Sequence, residues 1–135
     1  MIECVGTVSL YVKDQDKALD FYVSKLGLER RADQKFQLPD GGQMRWLTVT
    51  PKGAITEIVL YKPVNWPQAE AFIGNFSGIT FNPSDIQKTY QELSAKGVKF
   101  TEVPTQQSWG GIQEQFTDSA VGWVQPYQEV VCCAA

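Results

Sequence analysis

Two stretches of the chain repeat one pattern of polar and apolar positions. Residues 7–29 and residues 78–100 each begin with a short alternating run, continue through a polar cap into an amphipathic stripe, and reach a glycine before the next apolar run. Alternation with a period of two is typical of a strand, and apolar positions spaced by three and four are typical of a helix. The pattern therefore predicts strand, helix and strand twice along the chain.

The first predicted helix follows Asp14, whose carboxylate is suited to cap its first turn. Gly27 is predicted to end this helix in the left-handed conformation. The apolar stripe is predicted to comprise Leu19, Tyr22, Val23 and Leu26.

The second predicted helix opens with a capping box, in which Ser84 is the cap and Gln87 follows three residues later. Gly97 is predicted to end it. Its stripe is predicted to comprise Ile86, Tyr90 and Leu93.

Further apolar runs follow each helix and predict three more strands in each half. Pro126 in the last run argues against a central position in the sheet, because proline cannot donate to a neighbouring strand. The predicted strands are residues 5–12, 28–38, 43–50 and 55–62 in the first half, and residues 76–82, 98–103, 111–117 and 121–131 in the second.

Each half therefore reads as β-α-β-β-β, which predicts an α+β fold of two such modules in tandem, with curved mixed sheets around a cleft. We expect a single domain over residues 1–135, with modules at about 1–62 and 75–131 and a connection at 63–74. One helix covers one face of a four-stranded sheet. The other face must be closed by the second module, by a second chain or by a ligand.

Composition narrows the class of protein. The 135 residues are 43% hydrophobic, which is enough for a compact core. No apolar run approaches the roughly 20 residues that cross a bilayer, and the first residues do not resemble a signal peptide. We therefore expect a cytoplasmic protein with no membrane partner. The net charge is −3 and no basic residue follows Lys99, so a nucleic-acid partner is not expected.

The chain contains no histidine, which excludes Ser-His-Asp and Cys-His catalysis. Its three cysteines, Cys4, Cys132 and Cys133, lack the C-x-x-C spacing of a zinc or redox motif. No catalytic residue is assigned from the sequence.

Residues 8–28 (VSLYVKDQDKALDFYVSKLGL) resemble the vicinal oxygen chelate superfamily, which includes glyoxalases, bleomycin-resistance proteins and extradiol dioxygenases. Shorter motifs in the order of that superfamily follow at residues 46–49 (WLTV), 56–60 (TEIVL), 97–100 (GVKF), 109–110 (WG) and 116–118 (FTD). The resemblance spans nearly the whole chain and implies the paired-module fold.

Metalloenzymes of this superfamily take a ligand from the first and the last strand of each module. The resemblance places these positions at Thr7, Glu57, Gly78, and Gln125 or Pro126. Glu57 is the one strong ligand among them, whereas typical divalent sites use three or four such donors. We therefore expect no metal and no other cofactor, as in the metal-free bleomycin-resistance-like members.

Strand alternation indicates which side chains face the cleft, since Leu10 and Val12 are expected to pack beneath the first helix. The opposite face carries hydroxyl groups, aromatic rings and one carboxylate. The predicted ligand-binding residues are Thr7, Ser9, Tyr11, Trp46, Thr48, Glu57, Tyr61, Thr80 and Trp109.

This lining predicts a protein that sequesters a small organic molecule, aromatic and neutral or cationic, without a metal. The resemblance also implies a homodimer.

One alternative is a divalent-metal-dependent lyase, isomerase or dioxygenase with a reduced metal site. Another is a protein-interaction module with a collapsed cleft. A third interpretation is that Glu57 pairs with Arg45 on the neighbouring strand and that nothing binds there. Trp66, in the connection, is assigned to packing of that segment.

Overall fold

In a computed structural model, residues 1–117 and 127–132 are described, the latter by their backbone alone. The chain divides into two compact units, Met1–Gly74 and Asn75–Ala135. Each unit has the element order β-α-β-β-β and one four-stranded mixed sheet, which confirms the predicted α+β fold class. Within the described ranges, no helix is both long and apolar enough to span a membrane.

The elements of the first unit are β1 (Thr7–Tyr11), α1 (Gln15–Asp20), a π-helical turn (Phe21–Lys25), β2 (Glu29–Gln37), β3 (Gln43–Thr50), β4 (Glu57–Tyr61) and α2 (Pro67–Glu70). Its sheet has the strand order β1-β4-β3-β2, in which β1 and β4 are parallel and the other neighbours are antiparallel. The short helix α2 follows β4 within the segment that the sequence pattern assigns to the connection.

Helix α1 begins as predicted, because the Asp14 carboxylate accepts a hydrogen bond from the backbone N–H of Lys17 at 3.0 Å. The predicted apolar stripe is wrong in part. Ala18, Phe21 and Tyr22 are fully buried, whereas Val23 is exposed. The sequence contains two overlapping apolar stripes in this stretch, so spacing alone does not select the buried one.

The core of the first unit lies between α1 and one face of the sheet. Leu10 and Val12 are buried there, as the alternation of β1 predicts. Neighbouring strands complete the layer with Leu47, Val49, Ile58 and Leu60.

The elements of the second unit are β5 (Thr80–Phe81), α3 (Ile86–Ala95), β6 (Lys99–Gln106), β7 (Ile112–Thr117) and β8 (Tyr127–Cys132). Its sheet has the order β5-β8-β7-β6, with β5 parallel to β8. The central position of β8 corrects the expectation drawn from Pro126: the strand starts at Tyr127, just after the proline, so its ladder needs no proline N–H. Residues 121–126 of the predicted last strand lie outside the described residues.

Helix α3 is capped by Asp85, whose carboxylate accepts from the backbone N–H of Lys88 at 3.0 Å. The prediction of Ser84 as the cap is therefore wrong by one residue. The core of this unit contains the buried Ile86, Leu93, Val98 and Phe116. Aromatic contacts border it, since the Tyr90 ring meets Phe100 edge-on at 4.7 Å and Phe100 meets Phe116 at 5.8 Å.

Candidate functional site

One face of the parallel pair β1 and β4 brings together five of the predicted ligand-binding residues. Thr7 lies opposite Glu57, and Tyr11 lies opposite Tyr61 at the other end of the pair. Ser9 lies between them, opposite Val59. We call this surface, formed by Thr7, Ser9, Tyr11, Glu57, Val59 and Tyr61, the β1–β4 face. Thr7 and Ser9 are exposed, whereas Val59 is 1% exposed, so the face is open along β1 and covered at Val59 on β4.

Glu57 is half-buried, and among the described residues its carboxylate has no hydrogen bond or ion pair. The interpretation that it pairs with Arg45 is wrong. The Arg45 guanidinium donates to both carboxylate oxygens of Asp33, at 2.7 and 2.9 Å, and to Asp16 at 2.7 Å. The ion-pair partners of Arg45 are therefore Asp33 on β2 and Asp16 on α1, and not Glu57.

The Arg45 ion pairs change the acidity of their members. The hydrogen bonds from Arg45 hold the pKa of the Asp33 carboxyl below its ordinary value. The same bonds raise the pKa of Arg45. This network fixes α1 against β2 and β3 and leaves the charge of Glu57 uncompensated.

Thr48 on β3 forms a hydrogen bond within the sheet. It is fully buried, and its hydroxyl accepts a hydrogen bond from the backbone N–H of Ala32 at 3.0 Å. That contact lies where the register between β2 and β3 shifts. Trp46, two residues earlier, shares its face of β3 and is half-buried.

Four aromatic rings gather where β1 and β4 end. Tyr11 meets Tyr61 edge-on with ring centroids 5.7 Å apart. Phe72 stacks on Tyr11 at 5.3 Å with an interplanar angle of 30°, and Trp66 meets Tyr61 edge-on at 6.4 Å. We call Tyr11, Tyr61, Trp66 and Phe72 the ring cluster. Trp66 is 47% and Phe72 is 56% exposed, so both leave ring surface open to solvent.

The ring cluster contains two residues that sequence reasoning did not assign to the site. The sequence pattern assigns Trp66 to packing of the connecting segment and gives no role to Phe72. The available signal was their position: they flank α2 and lie soon after Tyr61, a predicted site residue. Contact between Phe72 and Tyr11 depends on the path of the chain, which local patterns do not give.

A cavity of about 450 Å³ is formed by residues next in sequence to the rings of the cluster. Two ammonium groups and one carboxylate line it, so its charge is positive overall. Its lining consists of Val12, Lys13, Lys62, Pro63, Glu70 and Ile73. The first unit thus has positive charge near the ring cluster and a carboxylate, Glu57, at the opposite end of the β1–β4 face.

The remaining predicted residues lie in the second unit. Thr80 is exposed on β5, and Trp109 is 57% exposed in the turn between β6 and β7. Its ring covers Gly111, where an added Cβ would collide with it. These two residues share no strand pair with the β1–β4 face.

The second unit also holds a buried acid that sequence reasoning missed. Glu114 on β7 is fully buried, and neither carboxyl oxygen has a hydrogen-bond partner among the described residues. Burial raises its pKa to about 7. Its neighbour in the sequence, Gln113, donates instead to Glu102 from the other face of the strand.

The implied ligand positions that the structure describes supply too few donors for a divalent metal. Thr7 and Glu57, two of the implied ligand positions, do lie opposite each other. They supply one hydroxyl and one carboxylate, however, and Gly78 has no side chain to add. The fourth position lies outside the described residues. Within the described part of the chain, no three His, Cys, Asp or Glu residues are grouped so that they could hold a metal ion.

The chain is similar to known proteins over most of its length. The model of the Glyoxalase/Bleomycin resistance protein/Dioxygenase superfamily matches residues 5–123. Protein YetH of Bacillus subtilis (strain 168) is 38% identical over 110 residues, covering 82% of this chain and 86% of its own.

Two solved structures are similar over almost their whole lengths. A superfamily member from Sphaerobacter thermophilus DSM 20745 has a TM-score of 0.80 and 33% identity, covering 96% of this chain and 97% of its own. TnmS3, described as an antibiotic binding protein from Streptomyces sp. CB03234, has a TM-score of 0.76 and 30% identity, covering 98% of each chain.

Proposed function

The chain belongs to the glyoxalase/bleomycin resistance protein/dioxygenase superfamily, and from that premise we propose that it binds a small organic molecule noncovalently and without a metal. The proposed site is the β1–β4 face, and the proposed ligand is aromatic and neutral or cationic. One observation carries the proposal: an unpaired carboxylate and a group of aromatic rings, two of them exposed, lie at the two ends of the same face, which is open along β1.

The chemistry of this face suits holding a molecule. Aromatic contacts contribute about 0.5–1.5 kcal/mol beyond the area they bury, and they tolerate many planar ligands. A half-buried carboxylate without a partner gains from a cation that approaches it. The hydroxyl of Thr7 lies opposite Glu57 and that of Ser9 lies between the two ends, where they can orient polar atoms of a ligand.

The described part of the chain offers little support for the metal-dependent alternative. The implied ligand positions supply one carboxylate, and a lyase, isomerase or dioxygenase of this superfamily relies on its metal to polarise the substrate. TnmS3, a protein of similar structure, is described as antibiotic binding. That description supports the class of noncovalent binders and leaves the ligand of this chain to experiment.

A homodimer in the cytoplasm is the assembly and location that we propose with this function. Exposed apolar side chains at one end of the first unit, Val5 and Ile55, support self-association. Light scattering of the purified protein measures the assembly directly: a dimer mass is expected, and a monomer mass at micromolar concentration contradicts it.

The binding proposal is tested by isothermal titration calorimetry with a matched pair of probes, a naphthylhexylammonium ion and the corresponding neutral naphthylhexanol. We expect the ammonium probe to bind the wild type more tightly. Glu57→Gln should weaken the ammonium probe about tenfold, which corresponds to about 1.4 kcal/mol, and leave the alcohol unchanged. Glu29→Gln, which removes an exposed carboxylate from β2, is the matched control. Equal affinity of Glu57→Gln and wild type for the ammonium probe contradicts the proposal.

A further inference from the structure

We propose that Trp66 and Phe72 form a ring-binding subsite, and that together with Glu57 they select ligands whose planar ring and cationic group are separated by a long spacer. This inference rests on the proposed function and specifies its ligand class. It assigns a binding role to residues 63–74, a segment that the strand pattern presents only as a connection.

Contacts of the ring cluster hold its two exposed members in place. Phe72 is stacked on Tyr11, and Trp66 is set edge-on against Tyr61. Each therefore has one ring surface or edge against a strand residue while about half of the side chain stays open. Pre-positioned aromatic side chains lose little conformational entropy when a planar ligand packs on them.

The distance to the carboxylate follows from the strand itself. Glu57 and Tyr61 are four residues apart on β4 and share one face, which separates their Cα atoms by about 13 Å at the usual rise of a strand. Val59 lies between them, is buried and adds no charge, and the exposed Ser9 lies opposite it on β1, so a ligand that joins the two ends passes along β1. A ligand that reaches both ends must carry its ring and its cation at a comparable separation.

Charge fixes the direction in which such a ligand lies. Lys62 directly follows Tyr61, and Lys13 lies two residues after Tyr11; both line the cavity near the ring end together with one carboxylate, Glu70, so the formal charge there is positive overall. A cationic group is repelled from that end and attracted to Glu57. The ring is thereby directed to Trp66 and Phe72, and a ligand with its charge placed next to the ring cannot satisfy both ends.

The experiment is a titration series with naphthylalkylammonium ions that differ only in spacer, from ethyl through hexyl to octyl. For the wild type we expect the affinity to rise with spacer length until both ends are reached, with the hexyl or octyl probe bound at least about tenfold more tightly than the ethyl probe. Trp66→Leu with Phe72→Leu should remove this dependence and bring all probes to the affinity of the ethyl probe. Phe36→Leu, at an aromatic residue of β2 that is 46% exposed, is the matched control and should retain it.

A second double variant distinguishes the loss of the rings from a change in the fold. Trp66→Tyr with Phe72→Tyr keeps the rings and should restore the dependence on spacer length, with unfolding midpoints in urea compared for every variant. If the wild type binds the probes equally at all spacer lengths, or if the leucine variant retains the dependence, the ring-binding role of Trp66 and Phe72 is wrong while binding at Glu57 stands. If no ammonium probe binds the wild type, the proposed function itself is wrong.

Discussion

Phe72 stacks on Tyr11 with ring centroids 5.3 Å apart and planes inclined by 30°, although the two residues belong to the end and the beginning of the first unit. This contact packs the segment after β4, residues 63–74, against β1. It places that segment beside the face on which Glu57 and Tyr61 lie. The candidate site is therefore built from both the sheet and the segment that follows it.

The side-chain amide of Gln15 links strands β3 and β4 by hydrogen bonds. Its Nε2 donates to the carbonyl of Leu60 at 2.8 Å and to the carbonyl of Arg45 at 3.0 Å. Gln15→Leu leaves both carbonyls without this donor, and we expect the free energy of unfolding to fall by about 1–3 kcal/mol. Urea denaturation followed by circular dichroism measures the change. Gln87→Leu on the exposed side of α3 is the control, and equal midpoints for the two variants contradict the role of Gln15.

Arg45 is expected to stabilise the first unit through its bidentate contact with Asp33. Both side chains are largely shielded, with 18% and 24% of their surface exposed, so Arg45→Met should cost about 1–2 kcal/mol of unfolding free energy. Arg30→Met removes a longer and more exposed pair with the same Asp33, 3.4 Å, and should cost less.

The Arg45 contribution should also depend on pH in acid. Asp33 has a folded-state pKa below its ordinary value of 3.8, so the unfolded chain takes up a proton first as the pH falls. The contribution of this pair to the free energy of unfolding is present above pH 3.8 and is lost as the pH falls through the lower pKa of the folded state. Thermal unfolding in acid should therefore show the wild type and Arg45→Met converging, and a constant gap down to the lowest pH measured contradicts the assignment.

Glu114 should make stability fall as the pH rises toward neutrality. Its pKa is about 7 in the folded protein, against an ordinary 4.5 when the chain is unfolded. Between pH 4.5 and about 7, the Glu114 carboxyl is deprotonated in the unfolded chain and protonated in the folded chain. Raising the pH through this range therefore favours unfolding. Melting temperatures across this range should decline for the wild type, and Glu114→Gln should flatten that decline. Glu92→Gln, at an exposed residue of α3, is the control; parallel curves for wild type and Glu114→Gln contradict the prediction.

Local sequence signals predicted most of the fold. Strand β3 has the bounds that alternation gave it, Asp14 caps α1, and Gly27 and Gly97 both adopt positive φ where a helix was expected to end. These features depend on neighbours within one or two turns of the chain. The same applies to the face of β1, where Leu10 is buried and Ser9 is exposed.

Features that depend on distant parts of the chain were not predicted. The partner of Arg45 is set by the packing of α1 and β2 against β3, which the sequence does not specify. Phe72 reaches Tyr11 through the path of residues 63–74. Glu114 lies on the same face of β7 as the buried Phe116, which alternation indicates; its complete burial depends on what packs over that face of a strand paired on both sides, which the sequence does not specify.

The central claim, binding without a metal, is tested most directly by calorimetric titration of one protein sample with naphthylhexylammonium before and after dialysis against a chelator, with the metal content measured at both stages. The account predicts the same dissociation constant in both titrations and no further change when zinc, nickel or manganese is added back. Loss of binding after chelation, with recovery on adding one metal and no recovery in Glu57→Gln, would contradict the account and establish a metal site.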